Sequence, residues 1–357
     1  MNIKIKFDRN YSRKMLDNRM FFELNGTDYT EVDDDADIAV FTLINDYSKQ
    51  VDILVNKSKI YLSMEIWNVY EDQYTDEHWH EWLKQPNTYI ISNSFSKLDP
   101  DRVIYVDFLF NRTKAYYEKF KFRPNTMKWY HGGDKCYTVP NLDVDNTRSR
   151  IFMSPVRVVT DAQMHLRPQK YRRKFYKDII ANYGHLGYYP DPIMYTNLDF
   201  DLDENIENIV NSSKQPKKLR PGYTPPHNAY YNDTFISFYV ESLEHGQSTA
   251  VTEKTYDPLV KGHFILPFST AHFVEHLKDL GIKFPPNNRV IKYHYDSIED
   301  DEERYQAWRQ EMIRLLDISV ADWHNIRIRF KDILKHNQEW IFKRDYDRVD
   351  LSKLINE

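Results

Sequence analysis

Residues Phe235–Phe268 read FISFYVESLEHGQSTAVTEKTYDPLVKGHFILPF, and the order of chemistries along them decides the fold. The stretch opens as an apolar run, Phe235, Ile236, Phe238 and Val240, and turns polar at Glu241 and Ser242. Gly246, Gln247 and Ser248 supply loop chemistry. Thr252-Glu253-Lys254 then opens a segment in which Tyr256, Leu259 and Val260 recur near helical spacing. Gly262 closes that helix, and Phe264–Phe268 is a second buried strand. Strand, polar loop, helix and strand together make one α/β crossover unit.

Open α/β sheets bind ligands outside the carboxyl ends of their strands, and helix N-termini attract anions. Thr252 is placed as the N-cap, which puts Glu253 and Lys254 in the first turn. The helix dipole favours negative charge there, so the lysine is a mismatch that a bound phosphate would relieve. By spacing alone, a solvated lysine on a surface helix is the favoured account of the pattern.

The chain has 357 residues, enough for two domains of ordinary size. A net charge of −5 argues against a general nucleic-acid binder. Charged residues make up 29% and aromatics 15%, with 27 Tyr, which describes a globular chain and excludes a disordered one. The single cysteine, Cys136, excludes an intrachain disulfide framework and cysteine-only zinc sites. MNIKIKFDRNYSRK lacks the apolar core, about 7–15 residues long, of a secretory signal. No run approaches the roughly 20 apolar residues of a membrane span. A soluble, cytoplasmic protein is expected.

Upstream, residues 2–7 alternate as a first strand, and 38–44 (IAVFTLI) is a short buried one. Residues 59–64 (KIYLSM) form another strand and deliver Glu65 to its carboxyl end, with Trp67 and Tyr70 following. That is a site signature, and a surface glutamate at a loop fits as well. A short helix over 76–85 and strands over 88–92 and 103–109 continue the alternation of an α/β domain. Pro124, Gly132-Gly133 and Pro140 mark 124–148 as the linker, so the expected domains are 1–148 and 149–335, with a tail over 336–357.

The second domain starts with a strand over 150–154. It leads into the basic segment RPQKYRRKFYKDIIANYGHLGYY, where Phe175, Ile179 and Ile180 have helical spacing. Asp199, Asp201 and Asp203 alternate as a metal-binding loop could, although acidic loops are common and no EF-hand spacing accompanies them. Residues 214–226 read as a proline-rich basic loop. His272 and His276 share a helix face without an evident third ligand. Residues 289–295 (RVIKYHY) suggest a strand, and 299–343 an amphipathic helical region too irregular for a coiled coil.

The opening stretch resembles the donor-binding motif of α-1,3-fucosyltransferases, in which a strand leads to Glu-Asn, a short loop, Val-Thr-Glu-Lys, a helix and an apolar strand. Glu241-Ser242, Val251-Thr252-Glu253-Lys254 and Phe264-Ile265-Leu266-Pro267 fall in the same order. Ser242 stands where the family has Asn, and Pro267-Phe268 departs from its Val-Val-Gly-type ending. The resemblance implies a GT-B-like α/β fold, two facing Rossmann-like domains with a C-terminal crossover helix. It also implies a donor-phosphate arginine after a strand, for which Arg172 and Arg173 are the nearest matches and Arg157 a third. Arginine suits that task because its planar fork makes two hydrogen bonds.

The function implied is an inverting glycosyltransferase that moves a sugar from a nucleotide-diphosphate sugar, GDP-fucose-like, to a carbohydrate hydroxyl. Glu65 is the expected base. Arg172, Arg173, Glu241, Ser242, Thr252, Glu253 and Lys254 are the expected donor-binding residues, and no metal or other cofactor is required. Trp67, Tyr70 and Trp129 offer aromatic faces to a carbohydrate. The alternatives are a hydroxylated DNA base as acceptor, served by the basic segments 167–177 and 214–220, or an inactive glycan-binding protein of the same fold. A metal-dependent transferase using Asp199–Asp203 is a third.

Overall fold

The computed structural model describes residues 2–7, 22–23, 28–32, 36–42, 59–64, 88–92, 94–95, 103–122, 137–143, 147–156, 170–189, 228–241, 249–286, 290–347 and 349–350. The chain divides into two compact units. The first is Met1–Arg112, Gly246–Val251 and Asp345–Glu357; the second is Thr113–His245 and Thr252–Arg344.

The first unit is built on a six-stranded sheet. Its strands are β1 (Asn2–Phe7), β3 (Asp28–Glu31), β4 (Ile38–Thr42), β5 (Lys59–Met64), β6 (Thr88–Ser92) and β8 (Val103–Tyr105). They are ordered β3-β1-β4-β5-β6-β8, and every pairing is parallel. Two short pairs accompany it: β2 (Phe22–Glu23) with β14 (Val349–Asp350), parallel, and β7 (Ser94–Phe95) with β12 (Thr249–Ala250), antiparallel.

The strand expected over 103–109 stops at Tyr105, and helix α1 (Phe108–Phe122) begins three residues later. The Asp107 carboxylate accepts a hydrogen bond from Phe110 N at 3.1 Å, which caps the new helix and ends the extended run. Next along this helix, Asn111 is fully buried and exchanges two hydrogen bonds with the main chain of Asp347.

The second unit holds a four-stranded sheet of β9 (Phe152–Met153), β10 (Gly187–Tyr188), β11 (Ile236–Val240) and β13 (Phe264–Phe268), ordered β10-β9-β11-β13 and parallel throughout. All ten residues of β11 and β13 are buried, the pattern of a parallel sheet covered on both faces. The basic segment folds as α2 (Lys170–Phe175), a π-helical turn (Tyr176–Ile180) and α3 (Ala181–Tyr183). After α4 (Asn228–Asn232) come α5 (Glu253–Val260) and α6 (Phe273–Asp279).

Residues 299–343 are helical as expected, in three successive helices. These are α7 (Asp301–Leu316), α8 (Val320–Arg329) and α9 (Lys331–Lys343). Asp300 caps α7 through Glu302 N and Glu303 N, and Ser319 caps α8 through Asp322 N; each cap fixes a new start and so a break. Trp308 of α7 is fully buried against Phe268 and Phe175, with ring centroids 5.4 and 5.8 Å away. Truncating an aromatic so placed costs about 3–5 kcal/mol.

Within the segment 289–295, the described residues 290–295 do not form a strand. Val290, Ile291, Tyr293 and Tyr295 are buried while Lys292 and His294 are exposed, so the alternation seen in the sequence is real. Its main chain, however, bonds to side chains of α7. Lys292 N donates to Glu311 Oε1 at 2.7 Å, and Val290 O accepts from Arg314. A 3-10 turn, His294–Ser297, follows. Among the described residues, no helix is long and apolar enough to cross a membrane.

Candidate functional site

The site forms where β11 ends and α5 begins, both in the second unit. Parallel pairing of β11 with β13, Ile236↔Phe264 through Val240↔Phe268, forces the intervening chain to cross over as a helix and places Glu241 at the carboxyl end of β11. Glu241 N donates to Phe268 O at 2.8 Å, which extends the ladder by one bond.

Thr252 is the N-cap of α5: its backbone is extended and its hydroxyl accepts from Lys254 N at 3.2 Å. Gly262 ends the helix with φ +66°, while Gly262 N bonds Leu259 O and His263 N bonds Pro258 O. That pair of bonds is a Schellman closure, which requires the left-handed conformation glycine adopts without strain. Gln338 of α9 donates to Val260 O at 2.8 Å, and Tyr256 stacks on Trp340, so α9 anchors the far end of α5.

The Glu241 carboxylate is wholly buried and clamped. Oε2 accepts from Thr252 Oγ1 at 2.6 Å, and Oε1 from Thr252 N at 3.2 Å and Thr255 Oγ1 at 2.9 Å. Tyr239 OH lies 2.7 Å from the same Thr255 hydroxyl. Burial raises the carboxyl pKa, and the nearby Lys254 cation and the Thr252 bond partly offset that. The Arg172 guanidinium, 4% exposed, donates from Nη2 to Glu241 O at 2.9 Å. Arg173 follows it on α2, half-buried.

Lys254 is buried beside this group, 8% exposed. Its Nζ lies 3.3 Å from Thr252 Oγ1 and 3.3 Å from Glu253 Oε1. Burial lowers its pKa, Glu253 opposes that, and the Arg172 cation pushes it lower still. Two cations, Arg172 and Lys254, therefore share one buried neighbourhood at a strand's carboxyl end and a helix N-terminus. Such an arrangement favours an anion with several oxygens.

The fold thus brings together Arg172, Glu241, Thr252, Glu253 and Lys254, with Arg173 adjacent to Arg172. Ser242, Glu65 and Arg157 lie outside the described residues, as do the 76–85 helix and Asp199–Asp203. Among the described residues, no group of His, Cys, Asp and Glu side chains could hold a metal. His272 instead bonds two carboxylates, Glu275 at 2.9 Å and Glu299 at 3.1 Å. Sequence reasoning missed Tyr239 and Thr255; the available signal was that Thr255 sits one helical turn beyond Thr252 and shares its face.

No protein-family model and no curated protein matches the chain. Among solved structures it is similar to a crystal structure of an α1,3-fucosyltransferase, at 12% identity and a TM-score of 0.41, over 98% of this chain and 92% of that one. An α1,3-fucosyltransferase solved with GDP-fucose is similar at 12% identity and a TM-score of 0.40, over 97% of this chain and 92% of that one.

Proposed function

We propose that the protein is a glycosyltransferase of GT-B architecture that takes a sugar from a nucleoside-diphosphate donor of the GDP-fucose type. The observation carrying this reading is the convergence of Arg172 and Lys254 on the start of α5, in a segment that matches the Val-Thr-Glu-Lys donor motif in order and spacing. Lys254 and Arg172 hold the diphosphate, with Arg173 at its side. Glu253, whose carboxylate is only part-buried beside Lys254, turns toward hydroxyls of the sugar or ribose.

In the reaction, an acceptor hydroxyl oxygen attacks the anomeric carbon as the bond from that carbon to the β-phosphate oxygen breaks. Glu65 takes the hydroxyl proton. The nucleoside diphosphate leaves carrying the bonding pair, and its growing negative charge is met by the two cations already in place, without a metal. Attack opposite the leaving group inverts the anomeric centre. The acceptor is a carbohydrate.

A thermal-shift screen with GDP, UDP and CMP, followed by turnover of GDP-fucose, UDP-glucose and CMP-sialic acid, tests the reading. A ligand that binds only the native state raises the midpoint. The expected result is a rise with GDP and release of GDP from GDP-fucose; no shift and no release with any donor would refute it.

A further inference from the structure

Resting on the donor reading above, we infer that Glu241 and Thr252 are positioning residues: together they aim the Lys254 ammonium rather than touching the donor themselves. Both Glu241 oxygens are already engaged by Thr252 and Thr255 within the protein, and the carboxylate has no exposed surface. What the carboxylate does determine is the direction of one proton.

A threonine hydroxyl has one proton and two lone pairs. With the Glu241 carboxylate 2.6 Å away, the shortest contact Thr252 Oγ1 makes, the proton points there, in a charge-assisted bond. The lone pairs then face the other side, where Lys254 N lies at 3.2 Å and Lys254 Nζ at 3.3 Å. A hydroxyl free to rotate could direct its proton at the ammonium and repel it; this one cannot. Glu253 Oε1, also 3.3 Å from Nζ, supplies a second bearing. Glu241 meanwhile grips Thr252 through its backbone N–H as well, so the cap residue is fixed at two points. The strand end, the cap and the ammonium are thereby held in one relay, Glu241 to Thr252 to Lys254.

Thr255 provides the control. It donates to the same carboxylate at 2.9 Å, but the relay does not pass through it. Calorimetric titration of the full-length protein with GDP, and with pyrophosphate as a base-free probe, is run on Thr252→Val, Thr252→Ser, Thr255→Val and Glu241→Gln, with melting temperatures measured alongside. Thr252→Val is expected to weaken both probes about tenfold, and Thr252→Ser to stay within about twofold of the original. Thr255→Val should weaken them by about threefold at most even where it lowers the melting temperature as far. Glu241→Gln, which keeps the volume, should weaken both probes about fivefold or more and carries the test if Thr252→Val does not fold.

Equal weakening by Thr252→Val and Thr255→Val, in step with lost stability, would overturn the inference, as would original affinity in Thr252→Val or Glu241→Gln. If the unsubstituted protein binds neither probe, the donor reading itself fails and takes this inference with it.

Discussion

Arg172 Nη2 donates to the main-chain carbonyl of Glu241 at 2.9 Å, so a helix side chain closes the carboxyl end of a parallel strand. The bond fixes one edge of the guanidinium against the strand end. It also places a cation within electrostatic reach of Lys254, with α3 and α4 lying between them in sequence.

Arg172→Lys should therefore not be conservative. It keeps the charge and loses the planar fork that can bond the carbonyl and a phosphate at once. We expect about tenfold weaker GDP binding by calorimetry, and about 1–3 kcal/mol of lost stability in urea melts from the changed hydrogen bonding at a buried carbonyl. Binding and melting unchanged from the original would remove Arg172 from the site.

Lys254 gives a pH signature. Burial depresses its pKa below the ordinary lysine value, with Arg172 adding to the effect. A diphosphate binds the protonated amine, so GDP affinity should fall as pH rises through the depressed pKa, short of 10.5. In stability the sign is opposite: below that pKa the folded state carries a disfavoured buried charge, and the cost is relieved as pH climbs toward the unfolded value. Lys254→Arg, charged throughout, should erase the alkaline fall in affinity. Titrations at several pH values check both; an unchanged alkaline limb in Lys254→Arg assigns it to another group.

Gly262→Ala tests the end of α5. At φ +66° an added Cβ would lie 2.4 Å from Leu142 Cδ2. Backbone strain and the clash together predict about 1–3 kcal/mol of destabilisation by denaturant melting. A neutral substitution would mean that the helix can end otherwise.

Asn111→Ala addresses the first unit, where the fully buried Asn111 side chain both donates to Asp347 O and accepts from Asp347 N. Leaving two buried main-chain groups without that partner should cost about 1–3 kcal/mol. Hydrogen exchange at the Asp347 amide should accelerate; protection equal to the original would contradict the assignment.

Local signals carried much of the fold. Thr252 as cap, Gly262 as closure and the two apolar runs of β11 and β13 were legible because each depends on near neighbours. Two strand assignments went astray for one reason. In 103–109 and 289–295 the apolar spacing was genuine, but a side chain decided the backbone: Asp107 by capping α1, Glu311 by taking Lys292 N. The candidate residues could be named from the sequence, but how Arg172, Glu241, Thr252 and Lys254 are arranged could not. Nothing in the sequence showed that Arg172 bonds a main-chain carbonyl 69 residues away. Nor did spacing reveal that the Glu241 carboxylate is turned inward onto Thr252 and Thr255.

The most direct test of the central claim is GDP titration of Lys254→Ala against the original protein, with circular dichroism to verify the fold. Removing one preorganised cation from developing phosphate charge costs about 10²–10³ in turnover in comparable sites. We predict GDP release from GDP-fucose reduced by at least that range, and GDP affinity weakened about tenfold or more, in a variant with an unchanged spectrum. Original affinity and turnover in Lys254→Ala would show that the start of α5 does not hold the donor, and would contradict the account.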